Sequence, residues 1–216
     1  MKKQHIALLG GAGLVLVFVV AGYLYKSQRA EKIGVMAQAS APPLVRDYSQ
    51  SIGPADARVV VVEFFDPGCE TCRVFAPHVK DLLASHAGKI RLVLRYAPFH
   101  QGADTMVKIL EAARRQGKFW ETLQVMFDTQ PYWASHHQPQ PEKIWQFLPS
   151  AGLDLEEIRS DMNDPRIMEI IHQDMADATV LGVHRTPEFF VNGKPLPSFG
   201  FPQLKALVDA EVAARY

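Results

Sequence analysis

The stretch RVVVVEFFDPGCETCRVFAP, residues 58–77, contains the pattern that decides the fold. Its first eight residues are mostly β-branched or aromatic, which predicts a strand buried on both faces. Asp66-Pro67-Gly68 interrupts that strand, and apolar residues then recur at three- and four-residue steps as far as Gly88, as in an amphipathic helix. A second apolar run follows at residues 90–97. The order strand, helix, strand predicts a right-handed parallel crossover.

The remainder of the chain predicts a helical block followed by a return to strands. Residues 102–181 have apolar residues at helical spacing almost throughout, and residues 187–191 form another β-branched and aromatic run. Asn192-Gly193 is a strong hairpin signal and predicts a second arm over residues 194–199. A last amphipathic helix begins at Pro202. The expected fold is therefore α/β, with a sheet interrupted by a helical insertion.

The amino-terminal residues form a separate segment. Residues 1–5 carry two lysines, and residues 6–25 are twenty residues without a charge, about the length that a bilayer core requires of a helix. This length favours a retained transmembrane anchor over a cleaved signal peptide, whose apolar run is usually shorter. Residues 26–50 mix charges, alanines and prolines without a sustained period, which indicates a linker. The folded domain is expected over residues 51–216.

Composition excludes some classes of function. The chain of 216 residues has 23 Lys and Arg against 23 Asp and Glu, a formal net charge of zero. Neither this balance nor any basic run indicates a nucleic-acid partner. Two cysteines are too few to frame a small secreted scaffold, and a core of this size does not need one.

The two cysteines, Cys69 and Cys72, leave three interpretations: a redox centre, a metal site or an inert structural bridge. A structural zinc site needs four ligands, and the sequence offers no second C-x2-C and no H-x3–5-H pair, although two thiolates suffice for Cu(I). A redox centre is favoured because Cys69 is expected at the exposed start of a helix, where N–H groups and the dipole stabilise a thiolate. Cys72, one turn later, would be the resolving thiol.

Several motifs together resemble the DsbA-like branch of the thioredoxin superfamily. They are Glu63 six residues before the first cysteine, the C-x-x-C at a helix start, Pro77 five residues after the second cysteine, the helical insertion, and a late Thr-Pro before a strand. The resemblance covers residues 51–216. It implies a thioredoxin fold in which Cys69 attacks and Cys72 resolves.

The resemblance also implies roles for two residues outside the C-x-x-C. Glu63 matches the buried acid that moves the proton of the second cysteine, and its apolar neighbours favour burial and a raised pKa. A glutamate paired at the surface of a strand is the alternative. Pro187 matches the cis-proline that packs across from the disulfide and leaves the preceding backbone available to a substrate strand. His100 is expected to cap a helix or to lie at the surface, rather than to belong to this site.

Four further residues are predicted to tune the site. Glu70-Thr71 stands between the cysteines, where strongly oxidising relatives have Pro-His, and the carboxylate of Glu70 should disfavour ionisation of Cys69. Arg73 would offset part of that charge. Thr186, before the proline, recurs in isomerase and reductase branches, so the direction of electron flow stays open.

The resemblance implies a thiol–disulfide oxidoreductase that needs no cofactor beyond its own disulfide and no metal. Its partners would be unfolded or partly folded proteins and a membrane or extracytoplasmic redox partner, with no nucleic acid. The anchor would place it in a bacterial inner membrane, with the domain facing the periplasm. Disulfide formation is favoured over reduction or isomerisation. A non-catalytic module that binds Cu(I) or an unfolded chain is the alternative from another class.

Overall fold

The computed structural model describes residues 20–22, 44–135 and 138–216. The strands of the described part are β1 Gln50–Ile52, β2 Val59–Phe65, β3 Ile90–Tyr96, β4 Glu188–Val191 and β5 Lys194–Pro195. Its α-helices are α1 Glu70–Ser85, α2 Ala103–Arg115, α3 Phe119–Trp133, α4 Leu155–Asp161, α5 Pro165–Leu181 and α6 Phe201–Arg215. Two 3₁₀ segments, Pro141–Gln146 and Leu148–Ala151, connect α3 to α4.

The strands form a single sheet in the order β1-β3-β2-β4-β5. β2 pairs in parallel with β3, because α1 carries the chain back between them, and it pairs antiparallel with β4. β2 is therefore the central strand. Glu63 on this strand lies between Leu94 of β3 and Phe189 of β4. The predicted crossover is confirmed, and it puts a carboxyl group in the middle of the sheet.

Alternation along β2 sends its side chains to two apolar layers. Val61 and Phe65 belong to the larger layer, which also contains both cysteines and buried residues of α1, the insertion and α6. Val62 and Phe64 belong to a smaller layer that includes the end of α5. Because successive strand residues point to opposite faces, Glu63 shares the face of Val61 and Phe65. It therefore projects towards the layer that contains the cysteines.

The predicted helical insertion is confirmed between β3 and β4, where α2 to α5 extend from residue 103 to residue 181. Its helices follow the expected boundary signals. Asp164 caps α5 by accepting the N–H of Arg166, and Pro165 is the first helical residue. Gly182 ends the same helix at φ 72°, a left-handed conformation that glycine adopts without strain.

The predicted start of the domain at residue 51 is too late. Arg46 makes two hydrogen bonds to the carboxylate of Asp177 at 2.9 and 2.8 Å, and the hydroxyl of Tyr48 donates to Asp174 at 2.6 Å. β1 begins at Gln50 and pairs with β3. The end of the predicted linker is therefore part of the folded domain, because its polar side chains pair with carboxylates of α5. Composition alone does not reveal this pairing.

The second arm of the predicted hairpin is also shorter than expected. Asn192 at φ 48° and Gly193 at φ 82° make the turn, as the dipeptide predicts. The strand that follows includes only Lys194 and Pro195. Proline has no N–H for a sheet, so Pro195 and Pro197 end the pairing before residue 199.

The predicted transmembrane anchor, residues 6–25, lies outside the described residues except for 20–22. Within the part of the chain that the structure describes, no helix has both the length and the apolar character required to cross a bilayer. The anchor therefore stays a prediction.

Candidate active site at the start of α1

The two cysteines occupy the first turn of α1 as free thiols. Cys69 is the N-cap residue, in an extended conformation, and Cys72 is the third residue of the helix. Cys69 is 4 % exposed and Cys72 is 0 % exposed. The expectation that Cys69 lies at an exposed helix start is therefore wrong in degree. The residue is almost covered because the chain before β4 passes over it, and the carbonyl oxygen of Thr186 lies 3.3 Å from its Sγ.

The first turn of α1 stabilises a thiolate at Cys69. The pKa of Cys69 is lowered to about 5, first by the hydrogen bond from the thiol of Cys72 and then, against the opposing effect of burial, by the side chain of Thr186 and the backbone N–H groups of Cys72 and Thr71. These donors converge on the sulfur at the positive end of the helix. Cys69 is therefore ionised at neutral pH and can act as a nucleophile or a good leaving group.

Cys72 and Glu63 form the inner part of the site. Burial raises the pKa of Cys72 well above its ordinary value, and its hydrogen bond to Cys69 and the charges of Cys69 and Glu63 act in the same direction. Glu63 is 6 % exposed. Burial, followed by the charge of Cys69, raises its pKa to about 8. The surface-pair interpretation of Glu63 is therefore wrong, because the carboxyl group is enclosed beneath the helix that carries the cysteines.

A cis peptide bond joins Thr186 to Pro187, in the geometry that the resemblance implies at this position. Pro187 is buried directly before β4, and the carbonyl oxygen of Thr186 accepts a hydrogen bond from Sγ of Cys69 when that thiol is protonated. This backbone segment therefore lies next to the sulfur that a substrate must reach.

The predicted tuning residues lie around the same turn. Glu70 is the first residue of α1, and Thr71 contributes its backbone N–H to Cys69. The Nε of Arg73 donates to the side-chain oxygen of Gln130 at 3.1 Å. The guanidinium of Arg73 is thus held by the insertion, in addition to any effect on Cys69.

Sequence reasoning missed Gln130, which connects the insertion to the cysteines. This buried side chain of α3 donates to the carbonyl oxygens of Pro67 at 2.8 Å and Cys69 at 3.1 Å. Gln130 therefore attaches α3 to the turn before α1. The only sequence signal is a glutamine within an apolar stripe of a helix, which does not reveal its target.

Sequence reasoning also missed Asp66, and it placed His100 outside the site. The buried carboxylate of Asp66 accepts the N–H of Gly68 at 2.7 Å and contacts Nδ1 of His100 at 2.7 Å. The carbonyl oxygen of Asp66 accepts the N–H of Cys69 at 3.0 Å. An Asp-Pro-Gly sequence predicts a turn but not its partner, since His100 is 34 residues away.

Within the described residues, no group of three or more His, Cys, Asp and Glu side chains has an arrangement that holds a metal ion. The arrangement that is present joins one ionised thiol, one enclosed thiol and a carboxyl group whose pKa is close to neutral. Such a set can open and close a disulfide while moving one proton.

Comparison with known proteins agrees with this geometry. Residues 46–210 match the model of the thioredoxin family. A thioredoxin-like oxidoreductase from Silicibacter pomeroyi DSS-3 is 29 % identical, with a TM-score of 0.68 over 80 % of this chain and 96 % of that one. The thiol-disulfide exchange protein α-DsbA2 from Wolbachia pipientis has the same fold at 20 % identity, with a TM-score of 0.69 over 85 % and 97 % of the two chains.

One relative with a similar sequence is named as a transporter and not as an oxidoreductase. The Na⁺/H⁺ antiporter NhaA of Herminiimonas arsenicoxydans is 31 % identical over 84 % of this chain, but the match spans only 28 % of the antiporter. The chain thus resembles a segment of that protein. The family match covers most of the described residues and includes both cysteines. The chain therefore belongs to the thioredoxin family, and its fold is that of the DsbA-like thiol–disulfide oxidoreductases.

Proposed function

We propose that the protein forms disulfides in unfolded or partly folded protein substrates by transferring the Cys69–Cys72 disulfide to their thiols. One observation carries the proposal: a thiol whose pKa is about 5 lies one helical turn from a fully buried thiol. A stabilised thiolate favours the reduced state, so the disulfide is easier to reduce and oxidises other thiols more readily.

The reaction follows from the different environments of the two sulfurs. A substrate thiolate attacks Sγ of Cys69, forming a mixed disulfide and breaking the bond to Cys72. The departing sulfur of Cys72 takes the proton of Glu63, since burial, the larger cause of the raised pKa of Glu63, favours its protonated form. A second substrate thiolate then attacks the substrate sulfur of the mixed disulfide and releases the Cys69 thiolate. The substrate loses two electrons, and the cysteine pair gains them.

The proposal includes a location outside the cytoplasm, where disulfides persist. Its support is the uncharged run of residues 6–25, which has the length of a transmembrane helix and would hold the domain at a bacterial inner membrane. A membrane or extracytoplasmic redox partner would then reoxidise the cysteine pair. The domain itself begins near Arg46, some twenty residues after the run.

A transfer experiment tests the function. The oxidised full-length protein in detergent is mixed with reduced, unfolded ribonuclease A, and the thiols of both proteins are counted by mass after alkylation. We expect one disulfide to appear in ribonuclease for each Cys69–Cys72 disulfide lost, and none to appear with the Cys72→Ser variant. Failure to transfer while dithiothreitol reduces the pair would contradict the proposal. If the reduced protein instead reduces the disulfides of insulin faster than the oxidised protein transfers its disulfide to ribonuclease A, the protein is assigned as a reductase.

A further inference from the structure

His100 is attached to the turn that carries Cys69. It lies between β3 and α2, and its Nδ1 donates to Oδ2 of Asp66 at 2.7 Å. Its backbone N–H donates to the same oxygen at 2.9 Å. Because Asp66 is fully buried and its other oxygen accepts the N–H of Gly68, the imidazole is held in one position by a fixed carboxylate.

The connection from Asp66 to Cys69 is short and rigid. The carbonyl oxygen of Asp66 accepts the N–H of Cys69 at 3.0 Å, three residues along the chain. Gly68, between them, is packed so closely that an added Cβ would lie 2.6 Å from Cγ of Pro139. A charge on His100 is therefore kept at a constant distance from the sulfur of Cys69.

Because acidic residues flank Cys69, a positive charge at the position of His100 would stabilise the Cys69 thiolate. Asp66 and Glu70 are acidic residues on either side of Cys69 in the sequence, and both act electrostatically on His100. The hydrogen bond to Asp66 raises the pKa of His100 first, and the charges of Asp66, Cys69 and Glu70 add to it against the effect of burial. The Cys69 thiolate thus increases the proton affinity of His100.

We propose that His100, held by Asp66, is a positioning residue that stabilises the Cys69 thiolate with a proton-dependent positive charge behind the turn. The inference rests on the proposed function for the identity of the nucleophile. Coupling between two sites is reciprocal, so a thiolate that favours the imidazolium is itself favoured by the imidazolium. Glu70 and Thr71, which stand between the cysteines, bring no positive charge to Cys69. His100 supplies one from the loop between β3 and α2, 31 positions later in the sequence than Cys69.

The proposed role of His100 also accounts for the protons that are released during disulfide transfer. A substrate dithiol releases two protons when it becomes a disulfide. One ends on Cys72, by way of Glu63, because that thiol is protonated in the reduced pair. The other is released, since Cys69 stays a thiolate. In the pH range between the pKa values of His100 in the two redox states, His100 takes up this second proton.

The first test measures the pKa of Cys69 in the full-length protein in detergent, from the rate of its alkylation by iodoacetamide between pH 4 and pH 8. The variant is His100→Gln, which keeps a donor for Asp66 and removes the charge. We expect its thiolate fraction at pH 4 to fall roughly three- to tenfold. The matched control is His86→Gln, because His86 makes a similar pair with Asp209 at the opposite end of α1 and should leave the rate unchanged.

The second test uses the wild-type protein, and it decides the question if His100→Gln does not fold. Histidine-selective NMR titration should give His100 a proton affinity three- to tenfold higher in the reduced than in the oxidised protein. An equal pKa of His100 in the two redox states would overturn the inference. So would an unchanged rate of Cys69 alkylation in a folded His100→Gln variant. Neither test uses a protein substrate, so a failure of disulfide transfer to ribonuclease is recognised separately.

Discussion

Replacing Glu63 by Gln is expected to stabilise the reduced domain increasingly as the pH rises, by roughly 3 to 5 kcal/mol between pH 4.5 and pH 8.5. The pKa of Glu63 is raised from its ordinary value of 4.5 to about 8, chiefly by burial. Because the folded protein binds this proton more tightly than the unfolded chain does, the contribution of Glu63 to stability is complete below pH 4.5. It is lost as the pH rises through 8.

Urea unfolding of the reduced wild type and of Glu63→Gln at several pH values measures this difference. The control is Glu211→Gln, which removes a second buried carboxylate. Glu211 accepts hydrogen bonds from Lys194 at 2.7 Å and Asn192 at 2.9 Å, and these partners lower its pKa despite burial. The Glu211 variant should therefore lose stability at pH 8. Equal pH profiles for the wild type and Glu63→Gln would show that Glu63 is not a buried acid.

The same Glu63→Gln variant separates stability from chemistry. If Glu63 supplies the proton that Cys72 takes when the disulfide opens, transfer to ribonuclease A should slow by at least about tenfold at pH 7. The fold should remain intact, because Gln has the shape of the protonated acid. Unchanged transfer rates across pH 5 to 9 would remove Glu63 from the reaction.

Replacing Arg95 by Met is expected to lower the free energy of unfolding by roughly 3 to 5 kcal/mol, because it leaves two buried carboxylates without the buried guanidinium that they share. Arg95 is fully buried in β3. Its guanidinium donates to Asp174 at 2.8 Å and pairs with Asp177 at 2.5 Å, both on α5. A third donor reaches the carbonyl oxygen of Leu44 at 2.9 Å. The side chain therefore connects the sheet, the insertion and the beginning of the domain.

Urea unfolding at pH 7 measures the loss, with Arg166→Met as the control. Arg166 also pairs with an aspartate of the α5 region, Asp164, but its side chain is largely exposed, so its removal should change stability little. A loss for Arg95→Met as small as that of the control would show that the buried network contributes nothing. Amide exchange in β1 should also accelerate in the Arg95 variant, since the segment before it loses its contact with the sheet.

The central strand, the helix after it and the crossover could be predicted from the sequence because each depends on local patterns. Six apolar or aromatic positions in residues 58–65 specify a buried strand, and the break at residues 66–68 specifies where the helix starts. The positions of Cys69, Cys72 and Glu63 relative to these elements follow directly. The family pattern added the cis peptide bond at Pro187, which local reasoning does not reveal.

The contacts that could not be predicted join residues far apart in the chain. Arg46 and Asp177 are 131 positions apart, and Gln130 lies 61 positions from Cys69. Such pairs depend on how the insertion folds over the sheet, and a single sequence has no periodic signal for that packing. For the same reason the linker was predicted to end too late and Cys69 to be too exposed.

Electrostatic tuning was predicted only in part. The residues between the cysteines indicated a less stable thiolate, because Glu70 lies beside Cys69. Hydrogen bonds from Cys72, the side chain of Thr186 and the backbone of the helix converge on the sulfur and lower the pKa of Cys69 to about 5, so the predicted effect of Glu70 is one contribution among several. Local charge was visible in the sequence, whereas the donors depend on the fold.

The reduction potential of the Cys69–Cys72 couple tests the central claim, that this pair is a redox couple poised to oxidise other thiols. A thiol pKa of about 7 accompanies a potential near −270 mV in thioredoxin, and a pKa of about 3.5 accompanies about −120 mV in DsbA. The pKa of about 5 at Cys69 lies between them. Equilibration with glutathione buffers at pH 7 should therefore give about −220 to −160 mV. A potential of about −270 mV or below would contradict the account.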